Sequence, residues 1–271
     1  MPPVTSFEER ERRLREALAG LEDLVVAFSG GVDSSVLLHA AHAALGKRAV
    51  GWIADSPSLP RRELEEARAV AAAIGARLVV CPTDELLRDG YRANEGLRCY
   101  HCRRALFEGM EAWAREHGFH ALAYGEITDD LSDDRPGRRA AGELGLFTPL
   151  CTAGFSKEDV RRYAQAAGLP SAEKPASACL ASRLPRGTRV TPERLARVEE
   201  AEERLRAEGF RDLRVRDHGE RAVLEFGPRE LERGRVEEER LGARLADLGF
   251  RGIEVRPYRA GGAPAARIAR S

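Results

Sequence analysis

The chain contains 271 residues, of which 43% are hydrophobic, so it can bury the core of one large domain or of an α/β domain with a smaller appendage. Its 44 basic and 44 acidic residues cancel, and the overall charge therefore offers nothing to attract nucleic acid or an anionic membrane. No charged-then-apolar leader begins the chain, and no apolar run approaches the roughly 20 residues that span a bilayer. We expect a cytoplasmic protein without a membrane partner or a nucleic-acid partner.

Buried strands and amphipathic helices alternate along the first half of the chain. The predicted strands start at residues 23, 49, 76 and 121, and the predicted helices cover residues 7–18, 34–45, 61–74 and 102–117. This alternation predicts an α/β fold with a mostly parallel, doubly wound sheet and helices on both faces. Such sheets bind ligands at the carboxyl ends of their strands, where we expect Ser29, Asp55, Thr83 and Gly125.

The second half of the chain changes its organisation. Residues 131–145 are polar and rich in Gly and Arg, which favours an active-site loop over the alternative of a solvated connection. Ser156 and Asp159 have the spacing of a capping box at the start of a helix. From Thr191 the pattern is that of a small α+β domain, with helices at residues 192–208 and 229–248 and strands at 213–216, 222–226 and 252–255. We predict domains at residues 1–190 and 191–260, followed by a loose tail at 261–271.

A glycine-containing loop between the first strand and the next helix predicts a phosphate site. Its sequence, Ser29–Ser35, reads SGGVDSS, and its glycines let backbone amides approach an anion beside the helix dipole. No Walker A sequence occurs in the chain, which argues against cleavage at the γ-phosphate of ATP. The string is typical of PP-loop ATP pyrophosphatases, which attach AMP to a substrate and release pyrophosphate. The residues expected to bind ATP are Ser29, Gly30, Gly31, Asp33, Ser34, Ser35, Asp55, Ser56 and Gly125.

Acidic residues near this loop are candidate Mg²⁺ ligands. The charge of a triphosphate must be offset before its α-phosphorus is attacked, and Asp33 can hold the ion directly or through water. Asp130 or its neighbour Asp129, which follow the fourth strand, can supply a further ligand. The alternatives are an ordinary acidic residue at a helix start for Asp33 and solvated loop acids for the other two.

Three cysteines carry a second chemical signal. Cys99 and Cys102 have C-x-x-C spacing, which suits two thiolates on one metal or a redox pair, and Cys179 lies in a loop without apolar periodicity. Three cysteines leave one iron of a 4Fe–4S cluster open, and that iron can carry a sulfide. Zinc with His101 as an additional ligand is the structural alternative. The remaining cysteines, Cys81 and Cys151, are expected to be packed small residues.

These motifs together resemble a known family, the LarE-type sulfur transferases of the PP-loop superfamily. The resemblance runs in family order over roughly residues 10–258. The matching strings are residues 28–35, 55–63, 98–103, 129–137, 155–161 and 174–188, then Glu202 and residues 213–218. The PP-loop is shared by many enzymes, whereas the C-x-x-C, the CLASR string at Cys179 and the RVR string at Arg214 are much narrower.

The resemblance implies a fold, a reaction and a set of site residues. The fold is that of the adenine nucleotide alpha hydrolases. ATP adenylates a carboxylate of pyridinium-3,5-biscarboxylic acid mononucleotide, and sulfur then displaces AMP to give a thiocarboxylate during synthesis of the nickel-pincer cofactor. Some members sacrifice the sulfur of one cysteine, whereas others bind a 4Fe–4S cluster through three, and this sequence fits the cluster type. The residues implied around the substrate are Ser182, Arg183, Glu202, Arg214 and Arg216.

The resemblance leaves several points open. It implies a homo-oligomer, specifically a hexamer. It does not identify the sulfur donor. A PP-loop tRNA thiolase is the nearest alternative, and it would need a basic face such as one built from Arg211, Arg214 and Arg216. A non-catalytic nucleotide-binding iron–sulfur module would bind ATP without turning it over. The pyrophosphatase half of an amidotransferase would have no use for the three cysteines.

Overall fold

The computed structural model of the protein describes residues 5–132, 136–175 and 177–258, and at residues 132, 136 and 137 it describes the backbone. The chain divides into two units. The first contains the described residues up to Tyr91 together with Leu97–Ser177, and the second contains Arg92–Gly96 together with the described chain from Ala178. The chain therefore enters the second unit before the predicted boundary at residue 190. The tail predicted for residues 261–271 lies outside the described residues.

Four parallel strands form the sheet of the first unit, in the order β3-β2-β1-β4. They are β1 (Leu24–Ala27), β2 (Ala49–Asp55), β3 (Arg77–Pro82) and β4 (Leu122–Tyr124). The helices are α1 (Phe7–Ala19), α2 (Val32–Leu45), α3 (Arg61–Ile74), α4 (Asp89–Arg92), α5 (Arg98–Glu116), α6 (Pro136–Glu143), α7 (Pro149–Ala153) and α8 (Lys157–Ala166). In the register, Val25 is opposite Val50 on one side and Leu122 on the other.

The sheet is covered on both faces, as predicted. Alternate residues of a strand point to opposite faces, so Leu24 and Val26 pack into one apolar cluster while Val25 packs into the other. The first cluster includes residues of α1, α2, α3, α7 and α8, and the second includes residues of α5 and α6. Strand β1, buried except for its half-buried last residue Ala27, reads as a continuous apolar run because both of its faces are covered.

The second unit is a three-stranded sheet with helices. Its elements are α9 (Pro192–Ala207), β5 (Leu213–Asp217), β6 (Arg221–Phe226), α10 (Leu231–Val236), α11 (Glu238–Leu245) and β7 (Gly252–Pro257). Strand β6 pairs antiparallel with β5 and parallel with β7. Its core contains Phe210 and Phe226, whose ring centroids lie 4.6 Å apart.

Three elements differ from the sequence-based predictions. Helix α5 begins at Arg98 instead of Cys102, and the helix predicted for residues 229–248 is interrupted at Glu237, whose backbone (φ −94°, ψ 8°) is not helical. The stretch predicted as an active-site loop contains helix α6, and its residues 133–135 lie outside the described ranges. The capping box of Ser156 and Asp159 is confirmed. Within the described ranges, no helix is both long and apolar enough to cross a membrane.

Candidate active site

The SGGVDSS loop lies where the strand order of the first sheet changes direction. Strand β1 pairs with β2 on one side and with β4 on the other, and the loop follows its carboxyl end. In doubly wound sheets the crevice at such a switch point is the usual place for a ligand. Ser29, Asp55, Thr83 and Gly125 all lie at or just after strand ends, as predicted.

Backbone geometry explains the glycine at position 30. Gly30 has φ +69°, a left-handed conformation that favours glycine, and a Cβ there would lie 2.8 Å from both Cα and Cβ of Ala67 in α3. The loop can therefore turn tightly against α3 only with glycine at this position. The hydroxyl of Ser35, a buried residue, donates to the carbonyl of Gly31 at 2.8 Å and helps to hold the turn.

The amino terminus of α2 is open to a ligand. Its N-cap is Gly31, and no described side chain caps the first turn, so the amides there remain available for an anion. The hydroxyls of Ser29 and Ser34 lie 3.2 Å apart beside these amides, and Ser34 also donates to the carbonyl of Gly31 at 3.0 Å. A phosphate would meet two hydroxyls and a helix dipole here.

Asp33 is held by Lys157, which begins helix α8. The Nζ atom of Lys157 lies 2.7 Å from both carboxylate oxygens of Asp33, and its backbone amide donates to Asp129 at 3.3 Å. Both side chains of the ion pair are partly exposed. The pair therefore places one positive and one negative group beside the phosphate loop, where a lysine suits a phosphate and a carboxylate suits Mg²⁺.

A cavity of about 520 Å³ opens in front of the loop. The walls combine the loop, the end of β4 and one side of α5. They are formed by Ala27, Phe28, Ser29, Gly31, Asp33, Ser34, Cys99, Arg103, Leu106, Phe107, Tyr124, Gly125, Glu126, Asp130 and Arg138. The cavity brings together five residues predicted to bind ATP, both predicted Mg²⁺ ligands and one cysteine of the C-x-x-C pair.

Close approach of β4 to α2 requires glycine at position 125. A Cβ there would lie 3.0 Å from the carbonyl carbon of Asp33 and 3.0 Å from the amide nitrogen of Ser34. Both contacts are with backbone, which cannot swing away as a flexible side chain can. Gly125 therefore sets the spacing between the end of β4 and the phosphate loop.

Helix α5 determines how the C-x-x-C cysteines point. Cys99 is exposed and Cys102 half-buried, and because both are helical their i, i+3 spacing places them on one face. His101 lies about 200° around the helix from Cys99, and its ring packs against the backbone of Gly90. This geometry does not support the alternative of a zinc site that combines His101 with the two cysteines.

Several polar residues of the cavity were not predicted from the sequence. Arg138 of α6 pairs with the buried carboxylate of Glu126 at 2.9 Å. Burial raises the pKa of Tyr124 well above its usual range, and hydrogen bonding to Glu126 adds to that rise. Arg103 lines the same wall one helical turn after Cys99. The i, i+4 spacing of Cys99 and Arg103 would have revealed this neighbour, had the helix been predicted to start before Cys99.

Other predicted residues lie outside the cavity walls. Asp55 pairs with Arg61 at 2.5 Å, and the hydroxyl of Ser56 donates to the buried carboxylate of Glu85. A role for Asp55 and Ser56 in ATP binding stays a prediction.

Burial raises the pKa of the Cys151 thiol, and the nearby Glu126 acts in the same direction.

The second unit contains Cys179 and the residues predicted to bind the substrate. Cys179 is half-buried and immediately precedes a 3-10 turn, Leu180–Arg183. Arg183 and Glu202 form a buried pair, whereas Arg214 and Arg216 lie on the face of β5 that points away from the core. Arg216 donates to the carbonyl of Ser182 at 2.8 Å and to Glu225 at 2.9 Å. Substrate contact by these residues is not tested by their positions and stays a prediction.

Among the described residues, no group of three or more His, Cys, Asp or Glu side chains is arranged to hold a metal ion. The cavity wall nevertheless carries the carboxylates of Asp33 and Asp130, and hard oxygen atoms of this kind are the ligands that Mg²⁺ prefers. Two cysteines on one helix face likewise provide soft ligands of the kind that iron–sulfur clusters use.

Comparison with known proteins identifies several relatives, although no protein-family model matches the chain. An uncharacterised protein of Synechocystis is 39% identical over 226 residues, which cover 83% of this chain and 84% of that protein. A component of the glutamine-hydrolysing GMP synthase of Archaeoglobus fulgidus is 27% identical over 180 residues, covering 61% of this chain and 55% of that component.

A third relative has a named activity. The pyridinium-3,5-bisthiocarboxylic acid mononucleotide synthase of Lactiplantibacillus plantarum is 33% identical over 249 residues, which cover 92% of this chain and 90% of the synthase. The match spans both units of the present structure and includes the phosphate loop, the cavity and the Cys179 segment. The chain therefore belongs to the family of LarE-type PP-loop sulfur transferases.

Proposed function

We propose that the protein is an ATP-dependent sulfur transferase that converts a carboxylate of pyridinium-3,5-biscarboxylic acid mononucleotide into a thiocarboxylate. The observation that carries this proposal is the cavity of the first unit, in which the phosphate loop and Cys99 line the same space. A plain pyrophosphatase has no use for a thiol beside its nucleotide. The name of the relative from Lactiplantibacillus plantarum supports the choice of substrate.

The first step is adenylation. A carboxylate oxygen of the substrate attacks the α-phosphorus of ATP, an acyl-oxygen-to-phosphorus bond forms, and pyrophosphate leaves as the bond to the β-phosphate oxygen breaks. The amides of the first turn of α2, with the hydroxyls of Ser29 and Ser34, would bind the leaving pyrophosphate. Asp33 and Asp130 would hold Mg²⁺, and Lys157 would offset charge on the phosphates.

The second step delivers sulfur. A sulfide attacks the activated acyl carbon, the bond to the phosphate oxygen breaks, and AMP leaves with that oxygen. Cys99, Cys102 and Cys179 would provide the ligands of a 4Fe–4S cluster. When bound, this cluster would supply an open iron that carries the sulfide. The position of Cys99 on the cavity wall supports this proposed role.

Substrate binding would involve the second unit. Arg214 and Arg216 lie on the same face of β5, since they are two residues apart in a strand whose other face is buried. A planar guanidinium binds phosphate or carboxylate through two parallel hydrogen bonds. We propose that these two arginines bind the phosphate of the mononucleotide.

The experiment is a turnover assay under anaerobic conditions with the full-length protein, MgATP and the biscarboxylic acid mononucleotide. We expect AMP and pyrophosphate in equal amounts and a product heavier by one substitution of sulfur for oxygen, both detected by mass spectrometry. Release of ADP, or no product with this substrate while thiolated tRNA appears, would contradict the proposal.

Asp33→Asn is the variant that tests the adenylation site. We expect pyrophosphate release to fall about a hundred-fold, because removal of one preorganised charged group from such a site typically costs this much. The matched control is Asp84→Asn, which removes an exposed carboxylate bonded to Arg88 away from the cavity and should leave the rate unchanged. Equal rates in both variants would remove Asp33 from the mechanism.

The source of the sulfur is decided by a second measurement on the same samples. Mass spectrometry of the protein after one turnover should show Cys179 intact, together with iron and sulfide near four per chain before the reaction. A Cys179 that has lost its sulfur and become dehydroalanine would instead show that this cysteine is sacrificed.

A further inference from the structure

Arg183 is almost completely buried in the second unit, with only 2% of its surface exposed. Its guanidinium forms a two-point contact with Glu202 of α9, with Nε to Oε1 at 2.9 Å and Nη2 to Oε2 at 3.2 Å. Both side chains are about equally buried. Two parallel hydrogen bonds of this kind hold the guanidinium in one plane and one orientation.

The third nitrogen of Arg183 contacts the backbone on both sides of Cys179. Its Nη1 atom donates to the carbonyls of Ala178 at 2.6 Å and of Cys179 at 3.1 Å, and to the hydroxyl of Ser182 at 3.1 Å. The amide and the hydroxyl of Ser182 also donate to the carbonyl of Cys179, at 2.9 and 2.7 Å. The peptide groups before and after the cysteine are thus fixed, which sets the direction of its Cα–Cβ bond and so restricts where the thiol can lie.

Glu202 is in turn held by contacts beyond Arg183. Its Oε1 atom accepts a hydrogen bond from the backbone amide of Val215 in β5 at 3.1 Å, and Arg206 lies 3.5 Å from its Oε2 atom. A buried ion pair of this kind contributes little stability relative to an apolar pair, because desolvation offsets most of the attraction. What such a pair does provide is a defined geometry around the groups that it contacts.

We propose that Arg183 and Glu202 are positioning residues that hold the Cys179 thiol for sulfur chemistry and do not bind the substrate. Each nitrogen of the Arg183 guanidinium donates to a protein acceptor and only 2% of the residue is exposed, so the guanidinium is enclosed by protein groups instead of being presented to a substrate phosphate. The chemical purpose of the thiol rests on the function proposed above, whereas its fixed geometry does not.

The test compares Arg183→Met, Arg183→Lys and Glu202→Gln in the full-length, metal-free protein. Native alkylation with iodoacetamide is followed by peptide mass spectrometry, and the rate at Cys179 is divided by the rate at Cys99 in the same molecule. We expect this ratio to rise at least five-fold in Arg183→Met and Glu202→Gln, because the loosened backbone exposes the half-buried thiol. Arg183→Lys should give a smaller rise, since lysine keeps the charge but lacks the planar fork.

Asp217→Asn is the matched control for Glu202→Gln. Asp217 is a fully buried acid of the same unit that pairs with Arg194 at 3.1 Å and also with Arg197. This change also turns a buried carboxylate into an amide and should lower the melting temperature, yet leave the alkylation ratio unchanged. If the Arg183 and Glu202 variants likewise lowered only the melting temperature, the pair would be structural and the proposal wrong.

Kinetics separate positioning from substrate binding. We expect kcat for thiocarboxylate formation to fall in the Arg183→Lys and Glu202→Gln variants while KM for the mononucleotide stays within two-fold. A raised KM with an unchanged alkylation ratio would show that Arg183 binds the substrate, contrary to the proposal. A changed alkylation ratio in a protein whose wild type transfers no sulfur would uphold the positioning role and reject the proposed function.

Discussion

At the scale of single residues, glycines determine whether the phosphate loop can form. Gly30 combines a left-handed backbone with a close approach to Ala67, so a side chain there would meet both backbone strain and a steric clash. Gly125 differs, because its backbone is ordinary and only space is lacking. The two positions show that one residue type serves two physical requirements in this site.

We expect Gly125→Ala to weaken both folding and ATP binding. Its Cβ would press on the backbone of Asp33 and Ser34 at 3.0 Å and shift the first turn of α2. Overpacking of this kind costs about 1–3 kcal/mol of folding stability, and the affinity for MgATP should fall at least ten-fold, measured by calorimetric titration.

Gly142→Ala is the control for this prediction. Gly142 is an exposed residue of α6, and a Cβ there would meet no described atom within 4 Å. Alanine is the better helix former by about 0.5–1 kcal/mol, so the control should be slightly more stable and bind ATP normally. Normal ATP binding by Gly125→Ala would show that the loop tolerates displacement.

At the scale of elements, short segments hold the loop that follows Cys179. Asn94 is buried and has φ 54°, and its side-chain amide donates to the carbonyls of Pro185 at 2.8 Å and Leu184 at 3.4 Å. The carbonyl of Asn94 accepts from the amide of Gly187 at 3.0 Å. These bonds explain why residues 92–96 belong to the second unit although they lie between elements of the first.

Comparison of Asn94→Gly with Asn94→Ala separates the two roles of this residue. Both variants lose the side-chain amide, which should cost about 1 kcal/mol or more of unfolding free energy. Alanine must in addition hold a left-handed backbone, which costs roughly 1–2 kcal/mol, so it should be the less stable variant. Urea unfolding followed by far-UV circular dichroism measures the difference. Equal stabilities would mean that the backbone relaxes out of the left-handed region.

The segment that precedes Cys179 is tied to α3 by a second ion-pair group. Lys174 lies 2.7 Å from Glu63 and 2.8 Å from Glu66, and Arg62 lies 3.6 Å from Glu63. Burial raises the pKa of Glu63, but the hydrogen bonds from Lys174 and Ser177 outweigh it, so the pKa is lowered overall. For Lys174, burial lowers the pKa, and its bonds to the two glutamates more than reverse that effect.

These shifts have opposite signs and define a window of pH. A lowered pKa of Glu63 gives stability that is present above its unfolded value of about 4.3 and is lost in more acidic solution. A raised pKa of Lys174 gives stability that is present below about 10.4 and is lost at more alkaline pH. Between these limits the group contributes fully.

We expect Lys174→Met to reverse the acid dependence. At pH 7 the variant leaves the Glu63 carboxylate buried without its main partner and should lose about 1–3 kcal/mol. Burial then raises the pKa of Glu63, so the variant's loss of unfolding free energy relative to the wild type should shrink as the pH falls from 7 to 4. Urea unfolding followed by tryptophan fluorescence at both pH values measures this loss.

An exposed ion pair provides the reference for this variant. Arg12→Met breaks the pair with Glu16 on the surface of α1, and it should leave stability unchanged at either pH because exposed pairs are screened by solvent. A deficit in Lys174→Met that stays constant or grows toward pH 4 would show that Glu63 remains charged without Lys174.

At the scale of the whole molecule, the sequence predicts what local patterns determine. The apolar run of β1 and the SGGVDSS string are local, and the parallel sheet and the place of the loop followed from them. The start of α5 could not be predicted in this way, because Arg98–Arg104 has no apolar periodicity. The first turn of α5 contacts α6 instead, and the Tyr100 hydroxyl donates a hydrogen bond to Glu143 at 2.7 Å.

Ion pairs between residues far apart in the sequence likewise cannot be predicted from a local pattern. Glu126 meets Arg138 across a helix start, and Arg183 meets Glu202 nineteen positions later. Neither spacing corresponds to a helical or strand period, so the role of Arg183 could be inferred only from its contacts. The resemblance implied a role for Arg183 and Glu202 without revealing which atoms they touch, and it did not point to Glu126 or Arg138.

The two units have separate apolar cores, and this division leads to a prediction about unfolding. Trp52 and Trp113 are the two tryptophans of the chain, and both belong to the first unit, so their fluorescence reports on that unit alone. Phe210 is buried in the core of the second unit. We expect Phe210→Ala to destabilise that unit by about 3–5 kcal/mol and to leave the fluorescence midpoint unchanged, while an earlier transition appears in far-UV circular dichroism.

Phe155→Ala is the reciprocal variant, since Phe155 is fully buried in the core of the first unit. It should lower the fluorescence midpoint, and saturating MgATP should partly restore it, because a ligand that binds only the folded unit stabilises that unit. MgATP should not move the early transition of Phe210→Ala, since the cavity in front of the SGGVDSS loop is built from first-unit residues. If fluorescence and circular dichroism instead shifted together in both variants, the two cores would unfold as one cooperative body.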